Sequence, residues 1–230
     1  MIEIFTNLEF EPFLLSFKLA GITTLILFVF SVPLAWYLSQ TKSKMKPFWE
    51  SLTALPIVLP PSVLGFYILV ALSHNSPIGV FFEDMFGIKL VFNFTGLVVA
   101  SCFYSLPFMV QPLQSGFESI NKNMLEASYI SGKGKCETII KVALPNIKPA
   151  LMTAIIVTFA HTVGEFGVVL MVGGSIPEET KVASVAIYEF VEIMDYKAAH
   201  IYSAIMVIIS FLVLLSVYIF NGRQNKKFGI

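Results

Sequence analysis

The sequence predicts an all-α, polytopic membrane helical bundle of about five transmembrane helices, and three observations predict it. Hydrophobic residues make up 56% of the 230 and charged residues 13%, about half the charged share of a soluble domain. Mean hydropathy is +0.80. Apolar runs of the roughly 20 residues needed to cross a bilayer recur five times, and basic residues gather in alternate connections between them.

The elements follow in order. Residues 1–12 carry Glu3, Glu9 and Glu11 with no basic residue, which does not fit a cleavable signal. The first span, Phe13–Leu38, holds only Lys18, near its end, where a long side chain can snorkel to the interface. The second, Ser51–Ser73, reads SLTALPIVLPPSVLGFYILVALS and contains Pro56, Pro60 and Pro61; the third, Phe94–Gly116, contains Pro107 and Pro112. In water such runs would read as loops. In a bilayer they persist where neighbouring protein or a wet cavity satisfies the freed carbonyls. Pro56 reads as a packing kink. The fourth span is Ile147–Val172 and the fifth His200–Phe220. Between them, Val182, Val185, Ala186 and Glu189 have helical spacing and predict a short helix in the connection 178–198. Trp36 and Trp49, near span ends, fit an interfacial aromatic belt.

Charge sets the orientation. The connection after span one, the connection after span three and the C-terminal tail hold eleven basic residues against four acids; the opposite side holds three against ten. The positive-inside rule then places the N-terminus out and the C-terminus in. Residues 1–12 are expected outside, 13–220 form the membrane domain with a cytoplasmic loop at 117–146, and 221–230 form a cytoplasmic tail. Net charge is zero, so the overall balance carries no sign of a nucleic-acid partner. Cys102 and Cys136 are separated by half a span and a loop, and read as free thiols.

The cytoplasmic loop has internal order. Residues 126–145 read EASYISGKGKCETIIKVALP. Asn123 and Glu126 have the spacing of a capping box. Leu125, Tyr129 and Ile130 would share one helical face, Gly132 and Gly134 break that helix, and a second short helix, KCETIIKVAL, stops at Pro145. Such a pair suits docking into a groove on another protein. It equally suits an amphipathic helix lying on lipid.

Glu126-Ala127-Ser128, then Gly132, then nine residues to Val142-x-Leu144-Pro145, resembles the EAA loop of ATP-binding-cassette importer permeases, with Ser for Ala and Val for Ile as mild departures. The resemblance implies the type I importer permease fold and gives this loop the role of a coupling helix seated on a cytoplasmic ATPase subunit. Glu126, Ala127, Gly132, Leu144 and Pro145 are then its coupling residues. No Walker A loop exists in the chain, since SGKGK lacks its spacing. ATP-Mg therefore belongs to the partner chain, and this chain is expected to need no cofactor of its own.

Two further stretches, ALPIVLPPSVLGFYILVAL and AHTVGEFGVVLMVGGSIPEETKVASVAIYEF, resemble segments of molybdate permease subunits, and the resemblance covers roughly residues 10 to 220. It implies a bacterial inner-membrane location, an extracytoplasmic molybdate-binding protein and a second permease copy as partners. The alternative substrates are tungstate, nearly isosteric with molybdate, and sulfate or thiosulfate, whose permeases share the GE[FY]G element. Pathway or gate candidates are Pro60, Pro61, His161, Thr162, Gly164 and Glu165. His161 stands where relatives commonly carry arginine, which puts a direct anion-charge role there in question. Glu165 is the only acid within a span, a functional position by default. A bare carboxylate repels an oxyanion, so it is expected to fix helix geometry, with His161 four residues earlier as a candidate partner.

Two other classes are weighed against this reading. An intramembrane metal-dependent hydrolase could use His161 and Glu165, but His74 and His200 fall in outer connections and no HExxH or nucleophile turn is present. No catalytic or metal residues are therefore assigned. A proton- or sodium-driven carrier would show inverted repeats, and the five spans show none.

Overall fold

The computed structural model describes residues 9–228, and all regular structure among them is helical. Residues 1–8 and 229–230, the ends of the two terminal segments delimited above, lie outside the described residues. Helix α1, Glu11–Gln40, extends the first apolar run at both ends; Pro12 sits in its first turn, where its missing N–H costs nothing.

The second apolar run does not form one continuous helix. It divides into α2, Lys46–Val58, and α3, Pro61–Leu72, whose axes are bent by 110°. The cause is local. Leu59 precedes Pro60, and Pro60 precedes Pro61, so both are pushed out of the helical region, to ψ 137 and ψ 136 respectively. Pro56 is buried inside α2 and does not end it. Helix α4, Pro77–Phe86, lies in the following connection, capped by Ser76 and ended by Gly87 at φ 65. Helix α5, Phe94–Glu118, runs unbroken through Pro107 and Pro112.

Helix α6, Lys122–Ile130, starts earlier than its sequence suggests. Asn121 is its cap, accepting from the Asn123 N–H at 3.0 Å, and Asn123 is already helical. The predicted Asn123–Glu126 capping box therefore does not form, and Glu126 is left exposed. Gly132 turns the chain at φ 81. Helix α7, Lys135–Asn146, widens to a π turn over Ile139–Ala143, where the Leu144 N–H reaches back to the Ile139 carbonyl. The widening relieves the clash that Pro145 would otherwise make one turn back. Helix α8, Lys148–Val163, leaves α7 at a bend of 85°.

The fourth run also differs from expectation. The continuous Ile147–Val172 span is interrupted at Gly164–Phe166, and a short α9, Gly167–Gly173, follows. Helix α10, Ala183–Glu192, is the short helix predicted in the outer connection, and α11, Tyr196–Phe228, contains the fifth run.

Helices α1 and α5 pack along their lengths and α8 lies against both. One apolar core joins Trp36, Met109, Leu113 and Phe117 to Leu125, Ala143 and Ile147, so α6 and α7 are keyed into the bundle. Trp36 and Phe117 meet edge to face, 5.2 Å between centroids. A second core at the other end gathers Leu19, Leu97, Val169 and Val185. Helix α11 leaves Val207, Phe211, Leu212 and Tyr218 bare, the pattern of a lipid-facing helix. Among the described residues, three helices are long and apolar enough to cross a membrane alone, and up to five spans result if each bent pair counts as one.

Candidate functional site

The α6–α7 hairpin presents Glu126, Ala127, Gly132 and Pro145 on its exposed side, with Leu144 half-buried. Its inner side is bound in two ways. Leu125 enters the core, and the Ser128 and Thr138 hydroxyls share a buried hydrogen bond of 2.9 Å. That bond gives Ser128, the third residue of the EAS triplet, a structural reason to carry a hydroxyl. Tyr129 and Ile130 do not join Leu125 on a buried face; Ile130 is 88% exposed. Beside the hairpin, a cavity of about 600 Å³ is lined by Lys42, Lys46, Lys122, Glu118, Glu126 and Tyr129, among others. At its edge Lys46 pairs with Glu118 at 2.9 Å, while Gln114 donates to Glu50 at 2.6 Å and to Glu118 at 3.1 Å.

The pathway candidates come together in part. The break at Leu59–Pro60 and the break at Gly164–Phe166 are adjacent in space: α3 packs on α9, and Pro61 abuts Gly167. Gly65 of α3 has Met171 and Val168 of α9 against it. Only glycine at these two positions lets the short helices approach so closely. Pro60, Pro61 and Gly164 are exposed at this junction, and the Ser184 hydroxyl donates to the Glu165 carbonyl at 2.6 Å.

His161 and Glu165 do not pair. The helix ends between them, which removes the face they would share. The Glu165 side chain turns inward, 4% exposed, and neither carboxylate oxygen has a hydrogen-bond partner among the described residues. The buried Ser101 hydroxyl of α5 neighbours it and is the polar group it interacts with, without full hydrogen-bond geometry. His161 instead stacks on Phe108 at 3.9 Å between centroids, with Tyr104 at 4.8 Å. Its Nδ1 lies 3.1 Å from Ser105 Oγ, which is 2.9 Å from Thr162 Oγ1. His161 lies thirteen residues into α8 and Tyr104 ten into α5, about 20 and 15 Å from opposite helix ends. The cluster therefore sits well within the apolar layer.

Sequence reasoning missed Tyr104, Ser105, Phe108 and Ser101. The available signal was the i, i+4 repeat of Ser101 and Ser105, and of Tyr104 and Phe108, along one apolar run. Among the described residues, no three His, Cys, Asp or Glu side chains stand close enough to hold a metal.

Comparison with known proteins accords with this geometry. The chain is 48% identical over 212 residues to the molybdenum transport system permease protein ModB of Azotobacter vinelandii, covering 92% of this chain and 93% of that one. To the protein of the same name from Escherichia coli K12 it is 30% identical over 189 residues, 82% of each chain. To the “Probable sulfate transport system permease protein cysT” of Chlorella vulgaris it is 32% identical over 220 residues, 96% of this chain and 81% of that one. The fold matches a bacterial ABC transporter involved in import of the polysaccharide alginate, with TM-score 0.78, 16% identity, and coverage of 96% of this chain and 82% of that one. It also matches the inward-facing MetNI methionine ABC transporter, with TM-score 0.74, 16% identity, and coverage of 97% and 99%. A family model matches residues 19–230, so this multi-pass membrane chain belongs to the binding-protein-dependent transport system inner membrane components.

Proposed function

We propose that this chain is the permease subunit of an ATP-driven molybdate importer in a bacterial inner membrane. Two copies form the pathway, each engages one cytoplasmic ATPase through residues 126–145, and an extracytoplasmic binding protein delivers the oxyanion. The observation that carries the reading is the 48% identity to a molybdenum permease along 92% of the chain, against 32% to the sulfate protein. The hairpin supports the coupling role. Glu126 and Ala127 are free to meet a partner while Leu125 ties the same helix into the core. A force on the outer face therefore reaches the bundle.

The adjacent breaks at Pro60–Pro61 and Gly164–Glu165 support a gate there, because interrupted helices expose backbone groups that a dehydrated ion can use. Affinity belongs to the binding protein, since a pathway that held a dianion tightly would not release it.

The test is uptake by vesicles carrying this chain with its ATPase and binding protein. Molybdate accumulation should require ATP and be competed by tungstate more than by sulfate. Glu126→Lys and Gly132→Pro should uncouple ATP hydrolysis from uptake while both chains still insert. Proline is excluded at residue 132 because φ is 81 and its N–H donates to the Tyr129 carbonyl at 2.9 Å. Accumulation without ATP, or normal uptake by both variants, would overturn the assignment.

A further inference from the structure

We infer that His161 contacts the tetrahedral oxyanion in transit through its Nε2–H, as an uncharged hydrogen-bond donor held in place by Phe108, Tyr104 and Ser105. The inference rests on the oxyanion-importer reading above and adds a specific atom to it.

Three observations carry it. First, the ring is fixed: it stacks on Phe108 at 3.9 Å between centroids, Tyr104 flanks it, and Nδ1 is engaged by Ser105 at 3.1 Å. Second, the other nitrogen is unused. Nε2 has no partner among the described residues, is not fully enclosed, and belongs to a half-buried side chain. An unsatisfied ring nitrogen at membrane depth is costly against hydrocarbon, so this edge faces water or protein, not lipid. Third, no acid pairs with the ring among the described residues. Glu165, the nearest in sequence, is withdrawn and enclosed.

The proton count in the chain decides what Nε2 offers. Thr162 has one hydroxyl proton and two acceptors in reach, the Thr158 carbonyl at 2.9 Å and Ser105 Oγ at 2.9 Å. If it donates to Ser105, Ser105 donates to Nδ1, and the neutral ring carries its proton on Nε2. With Thr162 donating to the Thr158 carbonyl, as the hydroxyl stands here, the order reverses and Nε2 is a bare acceptor. A fully ionised tetrahedral oxyanion has only acceptor oxygens, so its arrival requires the Thr162 hydroxyl to turn from the Thr158 carbonyl to Ser105 Oγ, which moves the ring proton to Nε2. A neutral donor adds orientation without the fixed charge that would trap a dianion.

Three substitutions separate this role from a packing role. The glutamine amide can place an N–H near the Nε2 position, the asparagine amide one near Nδ1, and phenylalanine keeps only the ring. In vesicles holding the complete importer, initial molybdate uptake per ATP hydrolysed should stay within about threefold of wild type for His161→Gln. It should fall about ten- to a hundredfold for His161→Asn and His161→Phe, the loss expected when a hydrogen bond to a charged group is removed. Co-purification with the ATPase establishes that each variant folds. Uptake retained by the asparagine variant and lost by the glutamine variant overturns the proposal in favour of a positioning role through Ser105. Uptake retained by the phenylalanine variant, or lost by all three, overturns it as well. Absence of oxyanion uptake by the wild-type complex is a separate result, which removes the importer reading itself before any variant is compared.

Discussion

Pro61 rests directly on Gly167: a β-carbon built at residue 167 would stand 2.8 Å from the Pro61 Cβ. Two interrupted helices, more than a hundred residues apart in sequence, touch at the point where each is broken. Gly167→Ala must therefore push the two breaks apart, and overpacking of this kind costs about 1–3 kcal/mol. Gly164→Ala is the control, since its nearest atom, the Ala160 carbonyl oxygen, is 3.7 Å away. Thermal melting of the purified complex should show the larger drop for Gly167→Ala. Equal drops would show that the contact is slack.

The Ser128–Thr138 bond predicts a non-additive pair. Each hydroxyl is buried against the other, so Ser128→Ala or Thr138→Val alone strands one partner, at a cost of about 1–3 kcal/mol. The double variant strands neither and should lose less than the sum of the singles. The cycle is read by chemical denaturation and by ATPase stimulation.

Glu165 predicts a gain. Its carboxylate is enclosed, with the Ser101 hydroxyl as a weak polar neighbour and no ion pair among the described residues, an arrangement in which a charge is expensive. Glu165→Gln keeps the shape and removes the charge, and should melt at or above the wild-type temperature; Glu165→Lys should fail to accumulate in membranes. A glutamine variant that melts well below wild type would indicate that the charge is matched by a neighbouring chain.

The Lys46–Glu118 pair predicts near-indifference to pH. The Lys46 hydrogen bond, then that of Gln114, holds the Glu118 carboxyl below its usual 4.5, and Glu118 raises Lys46 above 10.5. A lowered acid contributes stability above its unfolded pKa and loses it as pH falls through the folded one. A raised lysine keeps its contribution until pH climbs past its folded value. Melting between about pH 5 and 10 should therefore be flat in this respect. Both side chains are partly exposed, at 27% and 43%, so Glu118→Gln should cost under about 1 kcal/mol and less in high salt.

Much of the fold was legible in the sequence because length and hydropathy decide a membrane span almost alone. Lys42 and Lys44 marked the connection between α1 and α2, and Gly132 marked the hairpin turn. Pro60 and Pro61 announced a break, but a proline pair does not state an angle. The direction of α3 is set by its packing on α9, which a local pattern cannot show. The capping error at Asn123 has a similar origin: two asparagines two residues apart offer the same chemistry, and only the backbone conformation of Asn121 decides between them. The His161–Ser105 contact joins residues 56 apart in sequence. Periodicity places each on a helix face and says nothing about which faces meet.

The near-right angle between α7 and α8 has a mechanical meaning. Helix α7 holds twelve residues, Lys135–Asn146, an arm of about 18 Å, and α8 stands at 85° to it. A thrust delivered across the end of that arm becomes torque about the long axis of α8. Turning α8 sweeps His161 along an arc. On the proposed coupling role, a sideways displacement of this arm would be geared into a turn of α8 without stretching a backbone bond.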